Sequence, residues 1–583
     1  MHKILVVLFL FPIFISAQAD SSKRDEFLKN IDLQIPELLV DFNVPGAAIC
    51  IIDKGEIIVQ KGYGLANISK GIKVNPTTGF NIGSISKTIT AWGVMKLVQD
   101  GKINLDYPAE KYLTRWQLPK SKYDSKKVTI RRLLSHTAGL SLHGYPGWTP
   151  YDTLPTIEES LNGKNNGPGG VKIIMEPGTQ WKYSGGGYTI LQLIIEEVTG
   201  EKFEDFMESN ILSVLGMSNS SFTINEEVLK KSSEEFDTYG NKIDFELFTA
   251  KAAAGFQTTI EDFSKFLLSN LNTKVLNEST VNLMTKPAPN SNESYGLGYQ
   301  IMALDGTSVK LIGHSGANTG WHALFWINQD TKDGFIMFTN GGSGHSIYRQ
   351  IFCDWVSWKY KAQMGNICTI KIPVSYKLKN HIDTKGIKNA SKFYGKLKKS
   401  YADKLDFSER HLNTLGYTYL NEGKLEVAIA VFEINKDAFP KSFIAYDSYG
   451  EALLKNNQKE EAIASYKKSV ELNPGNTHGI EVLKDLGINI ETDTKEIDDV
   501  ILKSYTGNYE LAPNFILTIS MEGKQLSAQA TGQGKIKVFP KSEDFFYSKD
   551  IEAQIQFNTN KKGEIESLTL FQNGREMVAP KIK

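Results

Sequence analysis

The last third of the chain contains an internal repeat, and this repeat constrains the fold more than any other feature. The stretch LNTLGYTYLNEGKLEVAIAVFEINKDAFP aligns with YDSYGEALLKNNQKEEAIASYKKSVELNP at a constant shift of 34 residues. The aligned positions share small, aromatic and proline residues: Gly416 with Gly450, Ala428 with Ala462, Phe432 with Tyr466, and Pro440 with Pro474. A period of this length, with such residues at fixed places, predicts two helices in each unit.

The repeated segment, assigned to residues 406–490, resembles tetratricopeptide repeats. Two units cannot bury a continuous core by themselves, so we expect neighbouring helices, such as one predicted over residues 479–487, to cap them. Stacked helix pairs form a concave groove, which makes a protein or peptide partner one hypothesis for this segment. The other hypothesis is that the repeats are a spacer between two outer domains.

The first 19 residues have the pattern of a secretory signal peptide. A short basic start precedes an apolar run from Ile4 to Ile15, and Ala17-Gln18-Ala19 is a cleavage-type sequence. The apolar run is too short to span a bilayer, and we find no later run of 18 apolar residues. We therefore expect no transmembrane segment and export to the periplasm or beyond the cell. An uncleaved membrane anchor is the alternative.

Composition argues against several classes of partner. Lysine plus arginine and aspartate plus glutamate are equal at 66 each, so we expect no nucleic-acid partner and no anionic membrane surface. The nine histidines form no His-x-x-x-His or His/Cys cluster, so neither a metal site nor a cofactor is predicted. Three cysteines, Cys50, Cys353 and Cys368, would allow one disulfide at most. Because they lie far apart in apolar surroundings, we expect small buried core residues instead.

Residues 20–365 mix helical and strand-like segments and are expected to form one α/β domain. Residues 44–64 have the pattern of two strands joined by a tight turn, and residues 309–328 and 333–341 that of three more. A helix predicted over residues 85–98 is apolar most of the way round, which is typical of a buried helix. Strands at both ends, with helices between them, predict a sheet that joins distant parts of the chain.

Two segments flank the repeats. Residues 366–405 are rich in lysine and thinly apolar, which indicates a linker with one exposed helix; a basic docking surface is the alternative. Residues 495–583 change to a period of two, because apolar and polar residues alternate in 515–520 and 551–557. This alternation predicts half-buried antiparallel strands in a small all-β domain.

The stretch FNIGSISKTITA, residues 80–91, holds the main candidate for chemistry. Ser84 stands three residues before Lys87, where a glycine-containing turn gives way to the predicted buried helix. The free N–H groups of a helix start favour a developing negative charge. A buried lysine one turn further on has a lowered pKa and can accept a proton from a neighbouring hydroxyl. From these residues alone, Ser84 is either a nucleophile or a helix cap followed by a solvated lysine.

A second Ser-x-x-Lys, from Ser465 to Lys468, lies within the repeats and is interpreted as an exposed helix face. Two other segments carry candidate groups. Tyr183 lies at a glycine-rich turn before an amphipathic helix, and a tyrosine near two positive charges could ionise and act as a general base. GHSGANTGW, residues 313–321, could bring backbone N–H groups against a substrate carbonyl. Taken singly, Tyr183 could equally be a core aromatic residue and His314 a satisfied strand residue.

Taken in order, these segments resemble the motifs of the serine β-lactamase and penicillin-binding-protein superfamily. Its motifs correspond to Ser84-Ile85-Ser86-Lys87, Tyr183-Ser184-Gly185 and His314-Ser315-Gly316. The resemblance covers about residues 30–360. It is strongest to the branch with class C β-lactamases, D,D-carboxypeptidases, D-aminopeptidases and esterases, which shows stretches like TIRRLLSHTAGL (129–140).

The resemblance implies a multidomain chain: an α/β domain with a five-stranded antiparallel sheet flanked by helices, an all-α repeat segment, and a small lipocalin-like β-barrel. Ser84 would be acylated, Lys87 would accept its proton, and Tyr183 would relay protons to the leaving group and later activate water. The backbone N–H groups of Ser84 and Ala317 would form the oxyanion hole. His314 and Gly316 would lie beside it at the substrate.

Two departures from the family pattern bear on the substrate. Gly185 stands where the motif usually has an asparagine, whose amide helps to hold the lysine and the substrate's amide side chain. His314 stands where class C β-lactamases have a lysine, and a neutral imidazole attracts a substrate carboxylate less strongly.

The expected function is therefore an exported serine hydrolase that acts on a small-molecule or peptide ester or amide. An esterase, a D-amino acid amidase or peptidase, and a β-lactamase-like enzyme all fit. The alternative is a non-catalytic sensor of cell-wall fragments, or a scaffold whose repeats bind a protein.

Overall fold

The computed structural model describes residues 11–583 except 165–168, 273, 490–496, 513–514, 550, 552, 573–574 and 583, with side chains from residue 23 onward. The predicted signal peptide, residues 1–19, lies outside the residues whose side chains are described. Two compact units divide the chain, Met1–Ile370 and Lys371–Lys583. None of the helices in the described part of the chain has an apolar stretch long enough to cross a membrane.

The first unit contains eleven strands among its described residues. They are β1 (Gly46–Asp53), β2 (Glu56–Asn67), β3 (Ile72–Lys73), β4 (Gly79–Asn81), β5 (Glu235–Phe236), β6 (Lys242–Ile243), β7 (Gln257–Thr259), β8 (Gln300–Ala303), β9 (Lys310–Asn318), β10 (Trp321–Asn328) and β11 (Asp333–Thr339).

Its helices surround the main sheet. They are α1 (Phe11–Asp41), α2 (Ser86–Gln99), α3 (Ile130–Leu134), α4 (Ile157–Asn162), α5 (Gly185–Thr199), α6 (Phe203–Met207), α7 (Ser213–Leu215), α8 (Glu226–Lys231), α9 (Lys251–Ala254), α10 (Ile260–Asn272), α11 (Glu278–Met284) and α12 (Gly344–Tyr360). A π-helical segment, Glu208–Leu212, joins α6 to α7, and short 3₁₀ turns lie at Gly83–Ile85, Ala109–Tyr112, Ser125–Lys127 and Gly365–Cys368.

The main sheet of this unit has the strand order β3-β2-β1-β11-β10-β9-β8, and all neighbouring strands are antiparallel. Its five long strands, β2-β1-β11-β10-β9, correspond to the five-stranded sheet that was expected, and a short strand extends each edge. Strands from the two ends of the unit meet in the middle, where β1 pairs with β11. The predicted α/β architecture with an antiparallel sheet is therefore confirmed.

Helices cover both faces of this sheet. Helices α1 and α12 pack on one face, and Phe27 of α1 stacks on Trp358 of α12 with the ring centroids 4.7 Å apart. On the other face lies the larger core, to which β1 contributes Ala48 and Cys50. Helix α2 runs through this core, and all but three of its residues are buried. The prediction of a buried helix after Ser84 is thus confirmed.

The expectation for the cysteines is wrong for two of the three. Cys353 of α12 and Cys368 form a disulfide that closes a loop of 15 residues, whereas Cys50 is a free, buried core thiol as expected. The two partners are close because a sharp C-terminal cap at Lys361 turns the chain back on α12, which sequence separation alone does not indicate.

The second unit begins with helices and ends in strands. Its helices are α13 (Val374–Lys385), α14 (Ala390–Ser400), α15 (Glu409–Asn421), α16 (Leu425–Ala438), α17 (Phe443–Lys455), α18 (Lys459–Leu472), α19 (Thr477–Asp485) and α20 (Asp499–Ser504), with a 3₁₀ turn at Ile387–Asn389. Its strands are β12 (Ile372–Pro373), β13 (Leu405–Asp406), β14 (Gly507–Ala512), β15 (Phe515–Glu522), β16 (Gln525–Ala530), β17 (Ile536–Pro540), β18 (Phe545–Ser548), β19 (Gln554–Thr559), β20 (Ile565–Gln572) and β21 (Arg575–Ile582).

The segment predicted as a linker with one exposed helix, 366–405, is different in the structure. It holds two helices, α13 and α14, and each buries a stripe of apolar residues: Val374, Leu378 and Ile382 in α13, and Ala390, Tyr394 and Leu397 in α14. Helix α13 packs against α15, so these helices extend the repeat array at its start. The many lysines between these apolar residues make the segment as a whole polar in composition, so its apolar stripes were not recognised from the sequence.

The two repeat units have the same internal contact 34 residues apart. A methyl group added at Gly416 would lie 2.4 Å from the Phe432 ring, and one added at Gly450 would lie 3.0 Å from the Tyr466 ring. The helix pairs α15/α16 and α17/α18 therefore pack closely at the glycine in each first helix. The predicted helix pairs are confirmed, and α19 caps the second pair.

Strands β14 to β21 form a closed barrel of eight antiparallel strands. Inward-facing apolar side chains fill its core, with Tyr505 of the preceding segment stacked on Phe557 at 4.0 Å between ring centroids. The prediction of a small all-β barrel is confirmed. Within this unit Gln554 of β19 and Lys541 both donate hydrogen bonds to the carbonyl of Leu472, at 3.0 and 2.8 Å, which ties the barrel to the end of α18.

Candidate active site

Ser84 lies in the 3₁₀ turn that joins β4 to α2. The amide of Asn81 fixes this turn because its Oδ1 accepts a hydrogen bond from the Gly83 N–H at 2.8 Å. Gly83 has a φ of +51°, which a glycine adopts without strain. Ser84 is partly exposed, whereas the residues on both sides of it are buried. The turn therefore presents one hydroxyl to solvent from an otherwise buried segment.

Ser84 is not a helix cap. Neither the 3₁₀ turn nor α2 has a side-chain hydrogen bond at its N-cap position, and α2 begins two residues later, at Ser86. Lys87 is not solvated either, because only 2% of its surface is exposed. Both halves of the alternative interpretation of this stretch are therefore contradicted.

Lys87 lies against the Ser84 hydroxyl inside the core. Its Nζ is 3.2 Å from Ser84 Oγ and donates a 2.7 Å hydrogen bond to the carbonyl of Ala253 in α9. Burial lowers the pKa of Lys87 from 10.5 to about 7, because the charged ammonium loses its hydration. Near neutral pH, a substantial share of Lys87 is thus an uncharged amine that can accept the Ser84 proton.

Tyr183 lies just before α5, and the next residue, Ser184, caps this helix by accepting the Gly187 N–H at 3.2 Å. The Tyr183 ring centroid is 4.9 Å from Lys87 Nζ, and the Tyr183 side chain interacts with that of Ser84. Burial raises the pKa of Tyr183, and the interaction with Ser84 opposes this only in part. Tyr183 is therefore a neutral phenol that can pass a proton on, not the ionised base that its surroundings were expected to create.

His314 is neutral, and its ring lies 6.3 Å from that of Tyr183, centroid to centroid. It is 1% exposed; its Nδ1 donates to the Ser315 carbonyl at 2.6 Å, and its Nε2 accepts from the Tyr295 hydroxyl at 3.0 Å. Burial, followed by the nearby Lys87, lowers the pKa of His314 to about 3. Both ring nitrogens are used within the protein, so its predicted contact with a substrate is not supported by this placement.

The edge of β9 passes very close to the Ser84 turn. Strand β8 pairs with β9 only as far as Gly313, so the rest of this edge is open to the turn. A methyl group added at Gly316 would lie 1.9 Å from the Ile82 carbonyl, and one added at Gly83 would lie 2.6 Å from the Ala317 nitrogen. The two glycines thus bring the backbone of Ser84 next to that of Ala317, which is exposed.

Asn318 joins three parts of the site, and sequence reasoning missed it. Its Nδ2 donates to Asn81 Oδ1 at 2.8 Å and to the Ala254 carbonyl at 2.9 Å. It thereby links the end of β9 both to the Ser84 turn and to α9, where the Ala253 carbonyl holds Lys87. The only sequence signal was its place one residue after Ala317.

His136, in the family-like stretch 129–140, was also missed as a site residue. It is 2% exposed, and its Nδ1 accepts the Ser184 N–H at 3.1 Å, so the neutral ring carries its proton on Nε2. Its ring lies 4.2 Å from that of Tyr183, centroid to centroid, and burial holds its pKa well below the usual value. His136 is therefore a neutral ring that supports the segment holding Tyr183.

The arrangement has the parts needed for acyl transfer. A partly exposed hydroxyl is hydrogen-bonded to a lysine with a lowered pKa and interacts with a neutral phenol. Backbone groups of two segments meet beside it, as they do in an oxyanion hole. Among the described residues, no three His, Cys, Asp or Glu side chains are grouped so that they could hold a metal ion.

Three segments of the chain match known protein families. Residues 33–350 match the family described as Beta-lactamase, residues 444–476 match the tetratricopeptide repeat family, and residues 491–580 match a domain of unknown function, DUF3471. The resemblances drawn from the motifs and from the 34-residue repeat are thereby confirmed.

Two curated relatives show the extent of the likeness. Protein flp of Staphylococcus aureus (strain MRSA252) is 28% identical over 330 residues, which cover 54% of this chain and 62% of the relative. PbpX of Bacillus subtilis (strain 168) is 27% identical over 328 residues, which cover 55% of this chain and 77% of the relative. The chain therefore matches about 62% of the length of flp.

Among solved structures, the octameric penicillin-binding protein homologue from Pyrococcus abyssi aligns with 95% of this chain and 99% of its own, at 20% identity and a TM-score of 0.47.

Proposed function

The chain belongs to the Beta-lactamase family of serine hydrolases, and from this premise we propose that it is an exported hydrolase that forms an acyl-enzyme on Ser84. The proposal rests on the position of Lys87 and on its lowered pKa. Its Nζ lies 3.2 Å from Ser84 Oγ, while burial keeps its pKa at about 7. A serine hydroxyl is a weak nucleophile without such a base.

In the proposed acylation, Ser84 Oγ attacks the carbonyl carbon of an ester or amide while its proton passes to neutral Lys87. The N–H groups of Ser84 and Ala317 stabilise the oxyanion of the tetrahedral intermediate. Collapse of the intermediate breaks the bond to the alcohol or amine, which leaves with a proton relayed through Lys87 and Tyr183. In deacylation, a water molecule gives a proton to the same pair as its oxygen adds to the acyl carbon. The bond from this carbon to Ser84 Oγ then breaks, the pair returns the proton to Oγ, and the acid leaves.

We propose that the preferred substrate is an ester or amide that the enzyme binds without contacting a carboxylate group of the substrate. The position that carries a lysine in class C β-lactamases is His314, which is neutral and uses both ring nitrogens within the protein. It offers no fixed positive charge to a carboxylate, such as that of a penicillin. Export is supported by the signal-peptide pattern of residues 1–19 and by the Cys353–Cys368 disulfide, which suits an oxidising compartment.

The test is hydrolysis of a p-nitrophenyl acyl ester by the mature chain, followed in its first turnover. An acyl-enzyme mechanism predicts a burst of nitrophenol equal to the amount of enzyme whenever deacylation is the slower step. Ser84→Ala is expected to abolish both the burst and the steady rate. Undiminished hydrolysis by Ser84→Ala would refute the assignment.

We also propose that the repeats bind a protein or peptide, which the match at residues 444–476 supports. Because α13 packs against α15 and the barrel is tied to α18, residues 371–583 are the appropriate fragment for capture experiments. A partner retained by this fragment, and lost when exposed positions of α15 and α17 are changed, would support binding. Absence of any specific partner would favour a spacer.

A further inference from the structure

The segment that follows α3, residues 141–155, reaches the candidate active site beside Tyr183. The ring of His143 lies 4.9 Å from that of Tyr183, centroid to centroid, with an angle of 39° between the planes. His143 is exposed, whereas the other two imidazoles beside Tyr183, His136 and His314, are buried. His143 is thus the imidazole on the accessible side of Tyr183.

The backbone of this segment occupies the space next to Gly185. The Gly185 N–H donates to the His143 carbonyl at 2.9 Å, and Ser184 Oγ donates to the Ser141 carbonyl at 2.7 Å. A Cβ added at Gly185 would lie 2.9 Å from the His143 oxygen and 3.4 Å from the Gly144 Cα. A longer side chain, such as the asparagine found here in related motifs, would therefore collide with the His143 backbone.

The close approach of His143 therefore requires a residue without a side chain at position 185. The segment fills the space of the missing side chain with backbone and places an imidazole at its edge. Neither ring nitrogen of His143 has a hydrogen-bond partner among the described residues. Partial loss of hydration beside Tyr183, followed by the charges of Lys87 and Lys182, lowers the pKa of His143, so the exposed ring is neutral at pH 7 and offers one donor and one acceptor.

We propose that His143 is a further substrate-contacting residue, which replaces the missing asparagine by hydrogen-bonding to a polar group on the acyl side of the substrate. This inference rests on the proposed hydrolase function. It narrows the substrate class to esters or amides whose acyl part carries an amide or similar polar group near the scissile carbonyl. A plain alkanoyl ester would be hydrolysed without help from His143.

The test compares two p-nitrophenyl esters that differ only in the acyl part, a butyrate and an N-acetylglycinate. A hydrogen bond to a neutral group contributes about 0.5–1.5 kcal/mol, or roughly 2- to 13-fold, so His143→Ala should lower kcat/KM for the N-acetylglycinate about three- to tenfold. It should change the butyrate rate less than threefold. His143→Gln, which keeps a donor and an acceptor, should recover part of the loss, and Thr153→Ala in the same segment should behave like the wild type.

The rate at which a fluorophosphonate labels Ser84 gives a second measurement, since this probe has no acyl amide and reports on the nucleophile alone. Unchanged labelling of His143→Ala, together with a selective loss on the N-acetylglycinate, is the expected result. Equal losses on both esters and on labelling would show that His143 only supports Tyr183, and no loss on either ester would also overturn the inference. Failure of the wild type on both esters would instead refute the hydrolase function, and this inference with it.

Discussion

The chain contains two serines that stand three residues before a lysine, and their surroundings differ in every respect that matters for chemistry. Ser84 presents its hydroxyl to Lys87 from a turn. Ser465 lies in the middle of α18, is 6% exposed, and donates its hydroxyl to the Tyr446 carbonyl at 2.7 Å. The earlier interpretation of the second pair as an exposed helix face is right for Lys468 and wrong for Ser465.

The two lysines differ even more than the serines. The side chain of Lys468 is 40% exposed, and its hydrogen bond to Glu471, 2.6 Å long, raises its pKa, so it remains an ammonium. Lys87 is buried without a carboxylate partner among the described residues, and its pKa falls to about 7. The Ser-x-x-Lys spacing alone therefore only places two side chains on one face of a helix. Burial and the absence of a counter-charge create a base.

The serines should give the largest contrast. Ser84→Ala is expected to lower the hydrolysis of an aryl ester by ~10³-fold or more, because no other hydroxyl occupies the turn. Ser465→Ala should leave the rate within about twofold and reduce the free energy of unfolding by only ~1 kcal/mol, for the loss of one hydrogen bond. Comparable activity losses in the two variants would show that they act through folding, which thermal unfolding of both would reveal.

Substitutions of the two lysines should differ in their effects on both activity and stability. Lys87→Met is expected to lower activity by ~10²–10³-fold, since the proton acceptor is removed. It should also raise the free energy of unfolding by roughly 1–3 kcal/mol at pH 7. The pKa of Lys87 is about 7 in the folded chain and 10.5 in the free side chain, so burial of this lysine costs free energy that burial of methionine does not. Lys468→Met should change neither quantity appreciably.

The sign of the pH dependence gives a control for that stability effect. Between pH 7 and pH 10.5 the unfolded chain holds the Lys87 proton and the folded chain does not, so wild-type stability should rise with pH in this window. Lys87→Met should lose this rise, and Lys468→Met should keep it. A stability advantage of Lys87→Met that is the same at pH 7 and pH 10 would contradict the pKa assigned to Lys87.

The activity of the wild type should follow the same ionisation. We expect kcat/KM for a neutral ester to rise with pH through an apparent pKa of about 7, and to fall about tenfold for each pH unit below it. Lys468→Met should have the same profile. A profile that is flat from pH 5 to pH 9 would mean that Lys87 is not the group whose neutral form drives acylation.

A smaller effect is expected at Asn318, which holds the turn but is not placed to touch the reacting atoms. Asn318→Ala should lower kcat/KM about tenfold by loosening the link between β9, Asn81 and α9, a typical cost for a supporting group. Asn560→Ala, which removes hydrogen bonds at a turn of the barrel, is the matched control. A full rate in Asn318→Ala would show that the turn is rigid without this link.

Features encoded by local periodicity could be predicted from the sequence. The 34-residue repeat predicts the pairs α15/α16 and α17/α18, and the apolar run after Ser84 predicts a buried α2. The alternation of apolar and polar residues predicts the strands of the barrel. Each of these signals lies within one element or between neighbouring elements, so it does not depend on knowing the rest of the fold.

Features that depend on distant contacts could not be predicted. The carbonyl that holds Lys87 belongs to Ala253, 166 residues away, and Asn318 contacts Asn81 across 237 residues. The disulfide depends on the sharp turn at Lys361 that brings residue 368 back to α12. His143 was missed for the same reason, because only the fold places its loop next to Gly185.

The environment of Lys87 makes Ser84 the single activated hydroxyl that we expect among the described residues. The most direct test is to label the whole mature protein with a fluorophosphonate and map the modified peptide by mass spectrometry, at several pH values. We predict a single adduct, on Ser84, which forms more slowly below pH 7. It should be absent in Ser84→Ala and unchanged in Ser465→Ala. An adduct on another residue, or no adduct while the protein is folded, would contradict this prediction.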